Sequence, residues 1–465
     1  MGPRVPIPHF ESYAAQQPNR PAIVDLINIQ DVVAWLICFC SFTSLLLISW
    51  SATLPGQQLT TIMVLLFIAP WVVIVLRQPR RVLHGIATNW LLLSLPVLAI
   101  CSTLWSDFPA VTLKGGTQYL VTVLAGICAG CCVKPRVLMS SLLAALFLLA
   151  VLSVLDGTVE YNELTGGQAA LAGLFGSKNY FAVCVSFLLL TATSVAADRL
   201  QSIGFRLLGI AGAILAIPLL IYARSVGALV VSVATLATIV ALRIALKLSP
   251  RARLTVLLLL FLLTAVAVGI ATFDVDYADI LNYFGKDLTL TGRTLLWDYA
   301  AKAIADKPLL GGGYEAFWQP GHSAAEQLWF YSHIQNKYGY HFHNTYLEIA
   351  VDAGVIGLCM FLATLVGAAF RTVVVLATSK PSAEQIFAIT LFLFLLLRTP
   401  LEVDLFFQFQ LPTILLCLIW IYLKPSRYSA AVGVQKQIIR STRQSPEPLP
   451  PNPVLANTQR GSASV

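Results

Sequence analysis

The sequence predicts an all-α, polytopic integral membrane protein. Hydrophobic residues make up 57% of the 465 residues and charged residues only 11%, whereas a soluble domain carries about 25% charged residues. The mean hydropathy is +0.78. The apolar residues gather in stretches close to the roughly 20 residues that cross a bilayer as a helix. Helices are expected because lipid offers no partner to an unpaired backbone group.

Twelve apolar stretches, some of them marginal in length, are candidate spans. In chain order they are 31–50, 60–76, 87–104, 117–133, 137–155, 180–197, 206–222, 226–246, 254–272, 353–377, 385–399 and 406–423. We therefore predict a transmembrane domain of residues 31–423, with a large loop, 273–343, between its ninth and tenth helices. Residues 1–30 form an N-terminal segment, and the tail 424–465 is rich in Ser, Pro, Gln and Arg, which is typical of disorder.

The distribution of positive charge predicts the orientation. With the N-terminus inside, 21 of the 30 Lys and Arg residues lie on the inner side, so the positive-inside rule places both termini in the cytoplasm and the 273–343 loop outside. The net charge of +8 reflects this bias. Because no basic cluster is interleaved with base-stacking aromatic residues, nucleic acid is not an expected partner.

A His-Asn-x9-Gly-x-x-Gly pattern stands where the long loop re-enters the membrane domain, formed by His343, Asn344, Gly354 and Gly357. At the start of the tenth predicted helix, the helix dipole favours the neutral imidazole, which can accept a proton. Gly354 lies about three turns further on the same predicted face, and two glycines on one face let a neighbouring helix approach closely. We favour a functional His343 held by this packing over an interfacial histidine that merely adjoins two glycines.

The loop itself offers a second candidate site residue. Residues 293–306 are predicted to form an amphipathic helix, which Pro308 and the glycines at 311–313 end. Arg293 stands at its start, and a guanidinium there is suited to bidentate phosphate binding. On this motif alone, a solvated surface arginine is the more common alternative.

Further polar residues lie at the same outer level. Arg224 occupies a very tight turn between two apolar helices, where it either snorkels to the interface or binds an anion. Lys178 and Arg398 occupy equivalent positions, and Arg398 is spaced to pair with Glu402 at i,i+4.

Four short motifs, which include several of these residues, occur in the order found in one protein family. They are Phe175-Gly176-Ser177-Lys178-Asn179, Gly292-Arg293-x3-Trp297, Pro308-Leu309-Leu310-Gly311-Gly312-Gly313-Tyr314 and the His343 pattern. Over roughly residues 30–423 the chain resembles the bacterial O-antigen ligase and polysaccharide polymerase family. The residues of the second and third motifs are most similar to those of the exopolysaccharide (succinoglycan-type) polymerase branch.

The resemblance implies a GT-C-like membrane glycosyltransferase whose donor is a glycan on a polyprenyl diphosphate. An acceptor hydroxyl attacks the anomeric carbon and the lipid diphosphate leaves, with inversion and without a metal or other cofactor. Carried over, His343 is the general base, and Arg293 and Arg224 stabilise the diphosphate. Asn344 orients the sugar or the imidazole, and Trp297 either stacks on a sugar ring or belongs to the aromatic belt. Lys178, Asn179 and Arg398 are the remaining candidate substrate-binding residues.

The resemblance also implies the setting: the bacterial inner membrane, with a glycan acceptor, the bilayer, and flippase and chain-length regulator proteins as partners. Two alternatives stay open. The first is an O-antigen ligase that transfers the glycan to lipid A-core. The second is a non-enzymatic lipid-glycan exporter or flippase, against which the near absence of mid-helix charge argues.

Overall fold

The structure, a computed structural model, describes most of the predicted membrane domain. The described residues are 29–54, 57–162, 168–256, the positions 258, 259, 262 and 266, and then 293–331, 337, 339–378 and 380–424. Nearly all of the predicted N-terminal segment and tail, most of the ninth predicted span and the first part of the large loop lie outside these residues.

Helices form most of the described chain. They are α1 (Ile29–Thr53), α2 (Gln58–Arg77), α3 (Pro79–Thr88), α4 (Leu91–Cys101), α5 (Pro109–Cys132), α6 (Pro135–Asp156), α7 (Lys178–Ala197), α8 (Ile203–Tyr222), α9 (Val226–Ala245), α10 (Arg293–Asp306), α11 (Ser323–Tyr331), α12 (Thr345–Thr378), α13 (Ala383–Arg398) and α14 (Leu411–Tyr422). Within the described residues one antiparallel hairpin, β1 (Val159–Asn162) and β2 (Gln168–Leu171), pairs Val159 with Leu171.

The predicted fold class is confirmed. Eight of the described helices are long and apolar enough to cross a membrane. A further candidate is the pair formed by Pro79–Thr88 and Leu91–Leu104, which are bent by 84° at their junction. The span predicted here, 87–104, covers the second helix of the pair and only the end of the first, because apolar composition does not record a bend.

Helix α7 is the most buried of the eight candidate spans. In the most apolar stretch of α7, 78% of the residues are buried, against 17% in that of α2. It packs against α6, α8, α9 and α13. Because α7, α9 and α12 begin at the end where α13 finishes, their terminal residues are gathered together. We call this the His343 end of the bundle.

Helix α12 is interrupted at Gly354, where φ is 63° and ψ is −167°, a conformation open almost only to glycine. Residues 308–313 fill the break. The N–H groups of Val355 and Ile356 donate to the carbonyls of Pro308 (2.9 Å) and Leu309 (3.3 Å). In the other direction, the N–H of Gly312 donates to Val351 O at 2.8 Å. The loop thus supplies hydrogen bonds that the broken helix lacks.

This geometry corrects the interpretation of the two motif glycines. Gly354 does not present a helix face to a neighbouring helix, since a Cβ there would overlap the backbone of Leu309. Gly357 lies against α4, since a Cβ there would be at the ordinary contact distance of 3.5 Å from Leu95 and Leu98, whereas it would overlap the Cβ of Ala353 in its own helix. The pattern therefore combines a loop-insertion point and a helix contact, and the spacing alone did not distinguish them.

Substituting Gly354 tests the loop insertion. Gly354→Ala is expected to lower the free energy of unfolding by about 2 kcal/mol or more, because alanine strongly disfavours this backbone conformation and its Cβ overlaps the inserted backbone. The readout is the midpoint of thermal unfolding in detergent. Gly204→Ala in α8 is the matched control, since a Cβ there meets nothing within 4 Å. Equal midpoints for the two variants would contradict the insertion.

Candidate functional site

A single carboxylate at the His343 end of the bundle joins the two leading candidate residues. Glu402 Oε2 lies 2.8 Å from Nδ1 of His343, and Glu402 Oε1 lies 2.9 Å from Nη2 of Arg293. The side chain of Glu402 is 12% exposed, that of Arg293 13% and that of His343 25%. The pairs are therefore largely shielded from water. Electrostatic interactions in such a shielded place are stronger than at an open surface.

Local hydrogen bonds place His343 just ahead of α12. The side-chain oxygen of Asn344 accepts from the N–H groups of Tyr346 (3.0 Å) and Leu347 (3.2 Å), which is the geometry of a helix N-cap. Asn344 therefore uses its oxygen to start the helix. The cap fixes the backbone next to His343, and the prediction that Asn344 orients the sugar or the imidazole stays a prediction.

The same turn binds the segment that carries Glu402. Thr345 N–H donates to Thr399 O at 2.9 Å, and Thr345 Oγ1 donates to Glu402 O at 2.6 Å. The start of α12 is thereby attached to the chain that follows α13. The His343–Glu402 contact is consequently a rigid feature of two packed elements.

The charge of Glu402 sets the tautomer of His343. Burial alone raises the pKa of Glu402, but the contact with His343 and the charge of Arg293 bring that pKa well below its ordinary value. The group is thus a carboxylate, which only accepts hydrogen bonds. Nδ1 of His343 must then carry a proton, and in the neutral ring Nε2 holds the lone pair. This tautomer is assigned from the hydrogen bond between Nδ1 of His343 and the carboxylate of Glu402.

His341 is a second imidazole in the site. Its ring centroid lies 4.2 Å from that of His343, and its Nδ1 accepts from the backbone N–H of His343 at 3.1 Å. Burial first and then His343 lower the pKa of His341 to about 3, with Glu402 opposing the shift. His341 is therefore neutral at physiological pH.

His341, His343 and Glu402 also form a group that has the composition of a metal site, with ligand atoms within 4.8 Å of one another. Their hydrogen bonds fit a metal ion poorly. Nδ1 of His341 accepts an N–H, so its proton resides on Nε2, the atom that faces Glu402 Oε2 at 4.0 Å. A zinc-type ion needs unprotonated nitrogens at about 2.0–2.1 Å, and the cation Arg293 already occupies the other oxygen.

Arg398 does not pair with Glu402 as its i,i+4 spacing predicted. Its Nε and Nη2 donate to the two oxygens of Asp404 at 2.6 and 3.2 Å. Glu402 contacts Arg398 through the backbone, donating its N–H to Arg398 O at 2.9 Å. The backbone spacing is therefore kept, but the two side chains have other partners: Arg398 pairs with Asp404, and Glu402 pairs with Arg293 and His343.

Lys178, Asn179 and Arg224 lie at the neighbouring start of α7 and α9. The Lys178 N–H donates to Glu160 Oε2 at 2.8 Å, and its Nζ lies 4.0 Å from Glu160 Oε1. Asn179 Oδ1 accepts from Ser225 Oγ at 3.1 Å, which connects α7 to the turn that contains Arg224.

That turn approaches the Glu402 segment. A Cβ on Gly227 would lie 4.0 Å from Leu401, the residue before Glu402. Arg224 also has a left-handed backbone with φ of 50°. Strained backbone of this kind is concentrated at functional sites.

Trp297 of α10 binds the backbone of the residue that precedes His343. Its Nε1 donates to the carbonyl of Phe342 at 3.0 Å, and the Phe342 N–H donates to Glu348 Oε2 at 2.8 Å. Phe342 packs in a cluster with Phe317 and Trp318, at ring-centroid distances of 4.8 Å from each. Trp297 thereby positions the residue that precedes His343, which neither of the sequence-based interpretations of this tryptophan included.

Three site residues carried no clear signal in the sequence. Glu402 was considered only as a partner of Arg398, and neither His341 nor Asp404 was a candidate. Two acids soon after the last residue of an apolar helix, and a second histidine two residues before His343, are the only local signs. Neither sign shows that these residues meet in space.

Comparison with known proteins places this site in a family. Residues 211–362 match the family described as O-antigen ligase. The chain is also 31% identical over 385 residues to the exopolysaccharide production protein ExoQ of Rhizobium meliloti (strain 1021), covering 81% of this chain and 86% of that protein.

The chain belongs to the O-antigen ligase and polysaccharide polymerase family. The family match contains His343, Arg293 and Arg224, whereas Lys178 and Glu402 lie outside its limits. The resemblance that the motifs suggested is thus confirmed at the level of the family, and the structure adds Glu402 from a segment beyond the matched residues.

The buried Arg398–Asp404 pair predicts a stability effect. Its side chains are 4% and 9% exposed, so Asp404→Ala leaves an unpaired buried guanidinium and is expected to cost about 3–5 kcal/mol. Asp31→Ala is the control, because Asp31 and its partner Lys134 are 36% and 65% exposed and such pairs contribute about 0–1 kcal/mol. Thermal unfolding in detergent measures both, and a control that loses as much as Asp404→Ala would contradict the assignment.

Proposed function

We propose that this protein is a glycosyltransferase that polymerises polyprenyl-diphosphate-linked oligosaccharide repeat units at the outer face of the bacterial inner membrane. The observation that carries the proposal is the His343–Glu402–Arg293 array at one end of a membrane bundle. It combines an oriented base and a guanidinium, the two groups that a diphosphate-leaving glycosyl transfer needs.

His343 acts as the general base. The hydroxyl of the acceptor sugar donates its proton to Nε2 while its oxygen attacks the anomeric carbon of the donor. Glu402, held at 2.8 Å from Nδ1, fixes the tautomer and stabilises the imidazolium that forms. A carboxylate that orients a histidine in this way is the arrangement of serine-hydrolase triads. Attack by the acceptor on one face and departure of the diphosphate from the opposite face invert the anomeric centre.

Arg293 stabilises the departing diphosphate. The bond from the anomeric carbon to the diphosphate oxygen breaks, and negative charge grows on that oxygen. Arg293 uses one nitrogen to bind Glu402, and a guanidinium has five N–H donors in all. Preorganised cations of this kind replace the metal that other diphosphate-leaving enzymes use, which agrees with the poor fit of the His341, His343 and Glu402 group to an ion.

Arg224, Lys178 and Asn179 extend the binding surface for the donor. They begin or precede α7 and α9 at the His343 end of the bundle. Arg398 contributes through Asp404 and the backbone of Glu402, so we assign it to holding the site rather than to direct substrate contact. Trp297 holds the loop in the same way.

The distribution of Lys and Arg supports an outward-facing site with both termini in the cytoplasm. Nucleotide sugars are not available on that side, whereas lipid-linked repeat units are. A flippase that delivers these units and a regulator of chain length are the partner proteins that such a reaction implies. The segment 1–30 and the tail 424–465 are proposed to lie on the cytoplasmic side.

Replacing His343 or Glu402 tests the chemistry. His343→Ala and Glu402→Gln are each expected to lower the turnover number about 10²–10⁴-fold, the usual contribution of an oriented general base. The assay measures polyprenyl diphosphate released by purified protein from lipid-linked repeat units, extracted from a strain that lacks this chain. Glu384→Gln is the control, because Glu384 lies in the first turn of α13, at the opposite end from Arg398. Turnover by His343→Ala at the rate of the unsubstituted protein would refute the base assignment.

Polymerase activity is favoured over ligase activity because the chain matches an exopolysaccharide production protein, over 86% of that protein's length. A deletion strain is therefore expected to accumulate single repeat units. The measurement is a length profile of surface polysaccharide together with lipopolysaccharide. Long polymer that is not joined to lipid A-core would instead indicate the ligase, and no released diphosphate in an otherwise competent purified assay would favour an exporter.

A further inference from the structure

His341 lies against the proposed base but takes no part in the proton transfer to His343. It contacts the site in three ways. Its Nδ1 accepts the backbone N–H of His343 at 3.1 Å, its ring stands at 62° to that of His343, and its Nε2 lies 4.0 Å from Glu402 Oε2. The side chain is 21% exposed.

The backbone of His343 needs external support. Its φ is 51°, in the left-handed region that is unfavourable for residues other than glycine. Because His343 precedes the cap of α12, its N–H has no partner within the helix. The imidazole two residues earlier supplies that partner, closing a local ring like the one that an Asx turn closes with a side-chain oxygen.

This bond also limits what His341 can do. A neutral imidazole has one lone pair, and in His341 that lone pair, on Nδ1, is used by the His343 N–H. The proton on Nε2 points into the site. His341 is therefore not placed to accept a proton from a substrate, and a nitrogen in this state does not bind a metal ion.

We propose that His341 is a positioning residue: it holds His343 in its left-handed backbone conformation and so aims Nε2 of His343 at the acceptor hydroxyl. This role rests on the proposed function of His343 as the base. The energetic effect comes from one accepted hydrogen bond rather than from the imidazole as such, and that distinction can be tested.

Two substitutions separate the bond from the ring. His341→Asn retains an oxygen that can accept the N–H two residues later, whereas His341→Phe retains a ring of similar size without an acceptor. With the purified protein and the extracted lipid-linked repeat units, we expect His341→Phe to lower kcat about 10²-fold at similar KM, the effect of a displacement of about 1 Å. His341→Asn should stay within about threefold of the unsubstituted protein.

Each outcome bears on the positioning role. Equal loss in both variants would overturn it, because the imidazole itself would then be required, as a proton carrier or a metal ligand. Full activity in both variants would overturn it as well, since the hydrogen bond would have no effect on the reaction. If His341→Phe does not yield folded protein, the pair His341→Ser and His341→Ala asks the same question, because a serine hydroxyl can accept this N–H and alanine cannot.

Parallel measurement of His343→Ala distinguishes failure of the positioning role from failure of the base assignment. Inactive His343→Ala together with fully active His341→Phe refutes the positioning role alone. Active His343→Ala refutes the base assignment on which the positioning role rests.

Discussion

The carboxylate of Glu402 is the contact on which the rest of the site depends. Its two oxygens are taken by different elements, Arg293 at the start of α10 and His343 ahead of α12, while the residue itself belongs to the connection between α13 and α14. A buried charge that loses its partner costs several kcal/mol. If the large loop left the bundle, Glu402 would lose Arg293, its partner on that loop. The folding of the loop and the geometry of the site therefore depend on the same contact.

Helix α10 is held at both ends by contacts with other elements of the bundle. Arg293, its first residue, binds Glu402, and the segment that follows its last turn inserts into the break of α12 at Gly354. The same break explains why the glycine-rich loop motif and the His343 motif occur together: the first supplies backbone groups that the second lacks. Left-handed backbone occurs at His343 in this assembly and at Arg224 in the turn before α9, and such backbone is found where a site is preorganised.

The sequence contained the helical fold, the amphipathic helix at 293–306 and the family, because these depend on composition, periodicity and motif order. It did not contain Glu402 as the partner of His343, since 59 residues separate them and the i,i+4 spacing to Arg398 suggested a nearer partner. Nor could it show that Gly354 leaves the helix, because a glycine in an apolar run is equally compatible with a helix contact and with a break. The cap bonds of Asn344 to Tyr346 and Leu347 could not be predicted either, because they depend on where the helix begins, the least predictable feature of an element.

The central claim is that Glu402 acts through His343, and a double-mutant cycle measures that coupling directly. Residues that act as a unit are strongly non-additive. Turnover is compared for the unsubstituted protein, each single variant and the double variant His343→Ala/Glu402→Gln, using the extracted lipid-linked repeat units. If Glu402 orients the base, the double variant is no slower than His343→Ala alone. If the two rate losses multiply, Glu402 contributes independently of His343, and its role as the residue that orients the base is contradicted.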